Sequence, residues 1–276
     1  MSNIYLTSIG SGALGALQVP ALPGSGVRDP MNYVFPPVSM GTIYQYIYAR
    51  DLSVPAARMN VLPNATCFTA AILNSLINQN NNDLEPTGGY TSASVWDGSR
   101  GRTLSGAKLV RMVVRAMKRQ PLAWEMDFVG IGTADYPFPA PAIITTAQIM
   151  GWQAYLVPGT GAVGKILGFT LEMNFNTQAN EELKTAAGGT AYPSDEVNQS
   201  PPLVRCTLEM PTDKAIPNDI NSFGIALDLG TDVTFTINNP LNENPNDVGL
   251  EGRRSTRRLA VICRGKSDGT FPVTIA

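Results

Sequence analysis

The sequence predicts a mainly β protein: a β-sandwich or barrel-like domain with one flanking α-helix and an extended N-terminal arm. Three observations carry this. In residues 165–176, Leu167, Phe169, Leu171, Met173 and Phe175 alternate with Gly168, Thr170, Glu172, Asn174 and Asn176. Successive side chains of a strand point to opposite faces, so this segment has one apolar and one polar face. The 26 glycines and 21 prolines among 276 residues cut the chain into short pieces, which suits turns and strands better than long helices. Helical spacing is clearest at residues 64–79, where Phe68, Ile72 and Leu76 recur at intervals of four and Asn64 is placed to cap.

Taken in order, residues 1–40 contain Pro20, Pro23, Pro30, Pro36 and Pro37 and read as an extended arm outside the packed domain, which then spans 41–276. Residues 41–50 are aromatic and β-branched, a strand composition. The helix follows, and residues 91–96 read as a strand entering a turn at Asp97-Gly98. Residues 100–119 hold seven basic residues and no acidic one. As a helix, Lys108, Arg111, Arg115 and Lys118 share a face. As a strand, Val110, Met112, Val114 and Ala116 share one, and the β-branched valines favour this reading. Such a basic run marks a solvated or subunit-facing surface more often than a nucleic-acid site.

Leu122, Trp124, Met126 and Phe128 alternate with Ala123, Glu125 and Asp127, a strand. Residues 131–141 read as a Gly/Pro loop, 148–158 as a strand before a Gly turn, and 178–189 as a polar loop or short helix. Val204, Cys206, Leu208 and Met210 oppose Arg205, Thr207 and Glu209, another strand. Two more follow, marked by Ile225, Leu227 and Leu229 and by Val233, Phe235 and Ile237. A polar loop is expected over 238–252, and strands over 258–264 and 271–275 close the set.

Composition narrows the function. Net charge is −2 and charged residues are only 15%, which argues against a general nucleic-acid binder and suits a surface largely covered by partners. There is no histidine, the commonest general base and metal ligand. Cys67, Cys206 and Cys263 are too widely spaced for a zinc motif or disulfide framework and read as reduced, packed thiols. No secretory signal or bilayer-length apolar run is expected. GSGALG (Gly10, Gly12, Gly15) and GTGAVG (Gly159, Gly161, Gly164) match the letters of a dinucleotide fingerprint. Prolines follow the first and a strand the second, where the chemistry needs a helix, so no cofactor is expected. The sequons at Asn64 and Asn198 are chance matches without a signal peptide. Glu125, Asp127, Glu172 and Glu209 lie on polar strand faces, where a carboxylate pair for glycoside chemistry competes with plain solvation. Arg253, Arg254, Arg257 and Arg258 cluster after the polar loop, where contact with another subunit and plain solvation compete.

Two stretches carry a family resemblance. Residues 106–139 (GAKLVRMVVRAMKRQPLAWEMDFVGIGTADYPFP) give a Gly-led strand, a partner strand ending in a Gly turn, and a Pro-rich loop. Residues 164–189 (GKILGFTLEMNFNTQANEELKTAAGG) and 201–210 (PPLVRCTLEM) give a strand ending in Asn, a loop, and a strand of alternating Thr, Leu and Glu. Over roughly residues 88–275 the pattern resembles the tail tube (major tail) proteins of long-tailed bacteriophages. The basic run at 100–119 departs from it. The resemblance implies a virion protein of the viral tail, assembled in the host cytoplasm, whose homohexameric rings stack into a tube for genome ejection. Its partners are itself, other tail proteins and phage DNA that passes without specific binding. Neither catalysis, cofactor, metal nor membrane anchor is implied. On this reading Thr170, Glu172, Asn174 and Asn176 face the lumen, while Arg111, Arg115, Arg253, Arg254, Arg257 and Arg258 face other subunits. A carbohydrate-binding module or glycosidase using Trp96, Trp124 or Trp152, and another virion part such as a tail terminator or capsid decoration protein, are the alternative readings.

Overall fold

The computed structural model describes residues 5–11, 15–30, 33–34, 49–50, 53–78, 91–96, 101–135, 147–156, 166–175, 177–179, 197–198, 203–211, 222–227, 233–243, 248–251, 254–264 and 272–276. In chain order, β1 (Tyr5–Ser11) and β2 (Gly15–Ala21) form a hairpin, followed by β3 (Gly26–Arg28). β4 (Tyr33–Val34) and β5 (Ala49–Arg50) pair with each other, and β6 (Ala56–Val61) leads into helix α1 (Ala70–Asn78). Next come β7 (Thr91–Trp96), the 17-residue β8 (Gly101–Met117), β9 (Ala123–Val129) and β10 (Gly132–Asp135). A 3-10 turn at Gly151–Gln153 precedes β11 (Ala154–Leu156). Then follow β12 (Gly168–Asn174), β13 (Gln178–Ala179), β14 (Val197–Asn198), β15 (Leu203–Pro211), β16 (Ser222–Leu227) and β17 (Val233–Asn238). The chain ends with β18 (Leu241–Asn242), β19 (Val248–Glu251), β20 (Arg254–Arg264) and β21 (Val273–Ile275).

Thirteen of these strands form one antiparallel sheet, and β11, β16, β17 and β21 form a second. The two layers enclose one core. From the main sheet come Met59, Trp124, Met126, Phe128, Met112, Val114, Phe169, Leu171, Met173, Val204, Cys206, Leu208, Val261 and Cys263, all buried. Ile72, Leu73, Leu76 and Ile77 of α1, and Ile225, Val233, Phe235, Ile237 and Val273 of the second sheet, cover them. Phe68 links the layers. Its ring meets Trp124 edge-on at 5.2 Å and Phe235 at 6.2 Å. The helix is also tied to β21, because Asn74 Nδ2 donates to the Ile275 carbonyl at 2.9 Å.

The registers set four methionines side by side across the inner face: Met59 opposite Met126, Met126 opposite Met112, and Met112 opposite Met173. Unbranched thioethers fill irregular space where a curved sheet meets a helix. On β8, the register shifts between Leu109 and Arg111. The β8 residues that join the core are Leu104, Ala107 and Leu109 before the bulge and Met112, Val114 and Ala116 after it. The extra residue keeps the apolar set on the core side along a strand too long and twisted to hold one phase.

The β-dominated fold with a flanking helix is as expected, and within 100–119 residues 101–117 are a strand. Several details differ. Within 1–40, β1, β2 and β3 are extended and join the main sheet: β1 pairs with β7, β2 reaches β6 through Ala21 opposite Val61, and β3 pairs with β6. The helix begins later than Asn64. That side chain instead closes a preceding turn, accepting from the Thr66 and Cys67 amides, while Thr69 Oγ1 accepts from the Ile72 amide in the first helical turn. β10 lies in the expected Gly/Pro loop, and β18 and β19 lie in the expected polar loop. Over 148–158 the strand is confined to β11. A 3-10 turn precedes it, opening at Gly151, whose backbone lies so close to Met117 that a Cβ would fall 2.2 Å from the Met117 carbonyl oxygen. The 41–50 strand lies outside the described residues except for β5, as does most of 178–189.

Candidate functional site: the ion-paired face of the main sheet

The other face of the main sheet carries the chemistry. Cross-strand partners in an antiparallel sheet point to the same side. One row therefore runs Arg58, Asp127, Arg111, Asn174, and the next runs Asn60, Glu125, Val113, Glu172, Arg205. A third contains Ala123, Arg115, Thr170 and Thr207. Alternation on β6, β8, β9, β12 and β15 puts all of these opposite the core set.

The charges are interleaved. Arg111 Nε donates to Glu172 Oε1 at 2.7 Å, and Arg111 NH1 lies 3.6 Å from Asp127 Oδ2. Arg58 bridges Asp127 at 3.7 Å and Glu125 at 3.7 Å, and Arg115 reaches Glu125 at 3.8 Å. Three arginines and three carboxylates thus form one chain across β6, β8, β9 and β12. Beyond it, Arg205 engages both carboxylate oxygens of Glu243 at 3.2 Å. The hydrogen bond to Glu172 is the largest cause raising the Arg111 pKa, with burial acting against it. The side chains involved are between a quarter and a half exposed, so each pair contributes at most about 1 kcal/mol to stability. Its larger consequence is electrostatic: the four arginines Arg58, Arg111, Arg115 and Arg205 are matched by four carboxylates, Glu125, Asp127, Glu172 and Glu243. Val113 is buried on this side beneath the lattice, outside the main core.

Residues expected to face a lumen and residues expected to face other subunits meet on this face. Arg111 and Arg115 lie directly opposite Asn174 and Thr170, and Glu172 is an ion-pair partner of Arg111, so these five residues share one surface. Asn176 and Arg253 lie outside the described residues, as do the side chains of Arg254 and Arg257. Arg258 is exposed and sits opposite Glu209 in the same sheet. Arg58 and Glu243 were not singled out from sequence. The alternation of Ala57, Met59 and Val61 with Arg58 and Asn60 marks β6 and would have found the first, whereas Glu243 follows a two-residue strand with no periodic signal.

The remaining motifs resolve simply. Gly10 and Gly15 belong to strands β1 and β2, with Ser11 opposite Gly15, and Gly12 lies outside the described residues. Gly159, Gly161 and Gly164 lie outside the described residues. Glu125, Asp127 and Glu172 are engaged by arginines. Trp124 is fully buried, Trp152 is 68% exposed, and the Trp96 side chain lies outside the described residues. Among the described residues, no helix is long and apolar enough to cross a membrane.

All three cysteines are free and buried. Burial pushes each thiol upward, Cys263 to about 12, and for Cys206 the neighbouring Cys263 adds to the effect. A pKa raised by folding means the native state holds the proton more tightly. The associated stability is intact below the ordinary value of 9.0 and is lost as pH climbs toward about 12. The urea midpoint of the native protein is therefore expected to fall more steeply between pH ~9 and ~11 than that of a Cys206→Ala/Cys263→Ala variant. Equal slopes would contradict the buried-thiol account.

No protein-family model matches this chain, and no curated protein matches it significantly in sequence.

Proposed function

We propose that the chain is a structural, non-enzymatic virion protein, a tail tube subunit whose homohexameric rings stack around a DNA channel, with the ion-paired sheet face lining the lumen. The observation that carries this reading is the charge balance of that face. A channel for DNA must be wetted and polar without gripping phosphates, and unpaired arginines would grip them through counterion release. Here Arg58, Arg111, Arg115 and Arg205 each have a carboxylate partner, and Thr170, Asn174 and Thr207 supply neutral polar groups between them. Arg111 and Arg115 are therefore lumen residues in this proposal, masked by their acids, and not subunit contacts.

The opposite face of the sheet is used up by the core, so the wall can be one sheet thick yet rigid. Sheet edges that would promote aggregation in a monomer are consumed when rings close. The partners are other copies of the chain, other tail proteins, and DNA in transit; the place of action is the phage tail after assembly in the host cytoplasm. Light scattering coupled to size-exclusion chromatography tests the self-assembly this requires. Species of ring mass or larger are expected to grow with concentration, and a monomer at every concentration would contradict it.

A further inference from the structure

At one end of the charged face the balance breaks. The row Met117, Gly168, Glu209, Arg258 runs across β8, β12, β15 and β20. Gly168 has no side chain, and an added Cβ would lie 2.9 Å from both the Ala116 carbonyl and the Met117 sulfur. Met117 therefore packs directly over the Gly168 backbone, where a side chain would not fit. Beside this row lies a cleft of about 480 Å³ lined by Met117, Lys118, Arg119, Gln120, Leu167, Glu209 and Thr256.

The β8–β9 turn supplies the upper wall, and it is held in place. Its Gln120 amide donates to the Met117 carbonyl, the Lys118 amide donates to Leu167, and the Gly151 amide donates to Gln120. Arg119 sits at φ 67°, a left-handed conformation uncommon for a residue with a side chain. Lys118 and Arg119 are exposed, and neither they nor Arg258 has an ion-pair partner among the described residues, unlike the arginines of the lattice. The cleft lining holds two cations, Lys118 and Arg119, against the single carboxylate of Glu209, so it carries a net positive charge.

We infer that this cleft is a binding site for a phosphate monoester of a small hydroxylated organic molecule, of the size of a sugar phosphate. A phosphate monoester carries close to two negative charges at neutral pH, one for each of the two lining cations. Lys118 and Arg119 receive the phosphate through charge-assisted hydrogen bonds. Glu209 accepts from hydroxyl groups of the body, with Thr256 and Gln120 as further polar partners, and Met117 and Leu167 form the apolar side. The volume lies within the range of small-molecule sites. The inference stands apart from the tube proposal, because it concerns the unassembled chain and needs no neighbouring copy.

Isothermal titration calorimetry at low salt tests it, with ribose 5-phosphate, ribose and inorganic phosphate as probes. Ribose 5-phosphate is expected to give saturable binding at least roughly tenfold tighter than either ribose or inorganic phosphate. Lys118→Gln/Arg119→Gln, both on an exposed turn, is expected to weaken it by roughly tenfold or more while leaving the thermal melt in place. Glu209→Gln is expected to erase the preference over inorganic phosphate. Absence of saturable heat with the native protein overturns the inference, as does equal binding of ribose and ribose 5-phosphate, or undiminished binding by the double variant. Phosphate alone binding as tightly as the sugar phosphate overturns the assignment of an organic ligand.

Discussion

Trp124→Ala is expected to destabilise the fold by about 3–5 kcal/mol, the usual cost of emptying a large aromatic site in a packed core. Trp124 is fully buried at the centre of the main sheet, and Phe68 stands edge-on against it while also touching Phe235 of the second sheet. Removing the indole leaves Phe68 without one of its two supports, so the junction between layers loosens along with the sheet. A loss of this size is a large fraction of the ~5–15 kcal/mol by which such domains are stable. Trp124→Phe is expected to cost much less. The ring contact is kept, and the indole N–H, which finds no acceptor among the described residues, is removed with the change. Urea unfolding of the two variants checks this. A Trp124→Ala midpoint close to the native one would contradict the packing described.

Glu125→Gln/Asp127→Asn is expected to turn the sheet face into a DNA-binding surface. These two carboxylates connect Arg58, Arg111 and Arg115, and without them only the Arg111–Glu172 bond of that chain remains. The isosteric amides keep the shapes, so the stability loss should stay within about 1–2 kcal/mol, as expected for half-exposed ion pairs. The electrostatic effect is larger. Each arginine freed to neutralise a phosphate adds roughly 0.9 to the slope of log affinity against log salt, so freeing Arg58 and Arg115 makes binding salt-dependent. Fluorescence anisotropy with a labelled duplex reads this directly. The native chain should show little binding near physiological salt and the variant clear binding at low salt. Equal, weak binding by both would mean the arginines are not held in check by these acids.

Much of this surface could be anticipated from sequence. The alternation of Phe169, Leu171 and Met173 with Thr170, Glu172 and Asn174 assigned both faces of β12, and Trp124, Met126 and Phe128 did the same for β9. What alternation cannot give is the register between strands. Arg111 and Glu172 are 61 residues apart, and only the pairing of β8 with β12 brings them to 2.7 Å. That is why residues assigned to two surfaces proved to share one. The ambiguity over 100–119 has a local cause: the bulge between Leu109 and Arg111 changes the phase of alternation, so neither a period of two nor a helical period fits the whole 17-residue strand. The short strands β10, β18 and β19 were hidden because two to four residues are too few to show a period, and they form only where a long neighbouring strand offers an edge.

The measurement that tests the proposed role most directly is negative-stain electron microscopy of the purified chain over a rising concentration series. Rings or tubes of uniform width with a stain-filled central channel, six-fold in class averages, are the predicted result. Monodisperse monomers throughout, or closed particles without a channel, would contradict the assignment of the ion-paired face to a lumen.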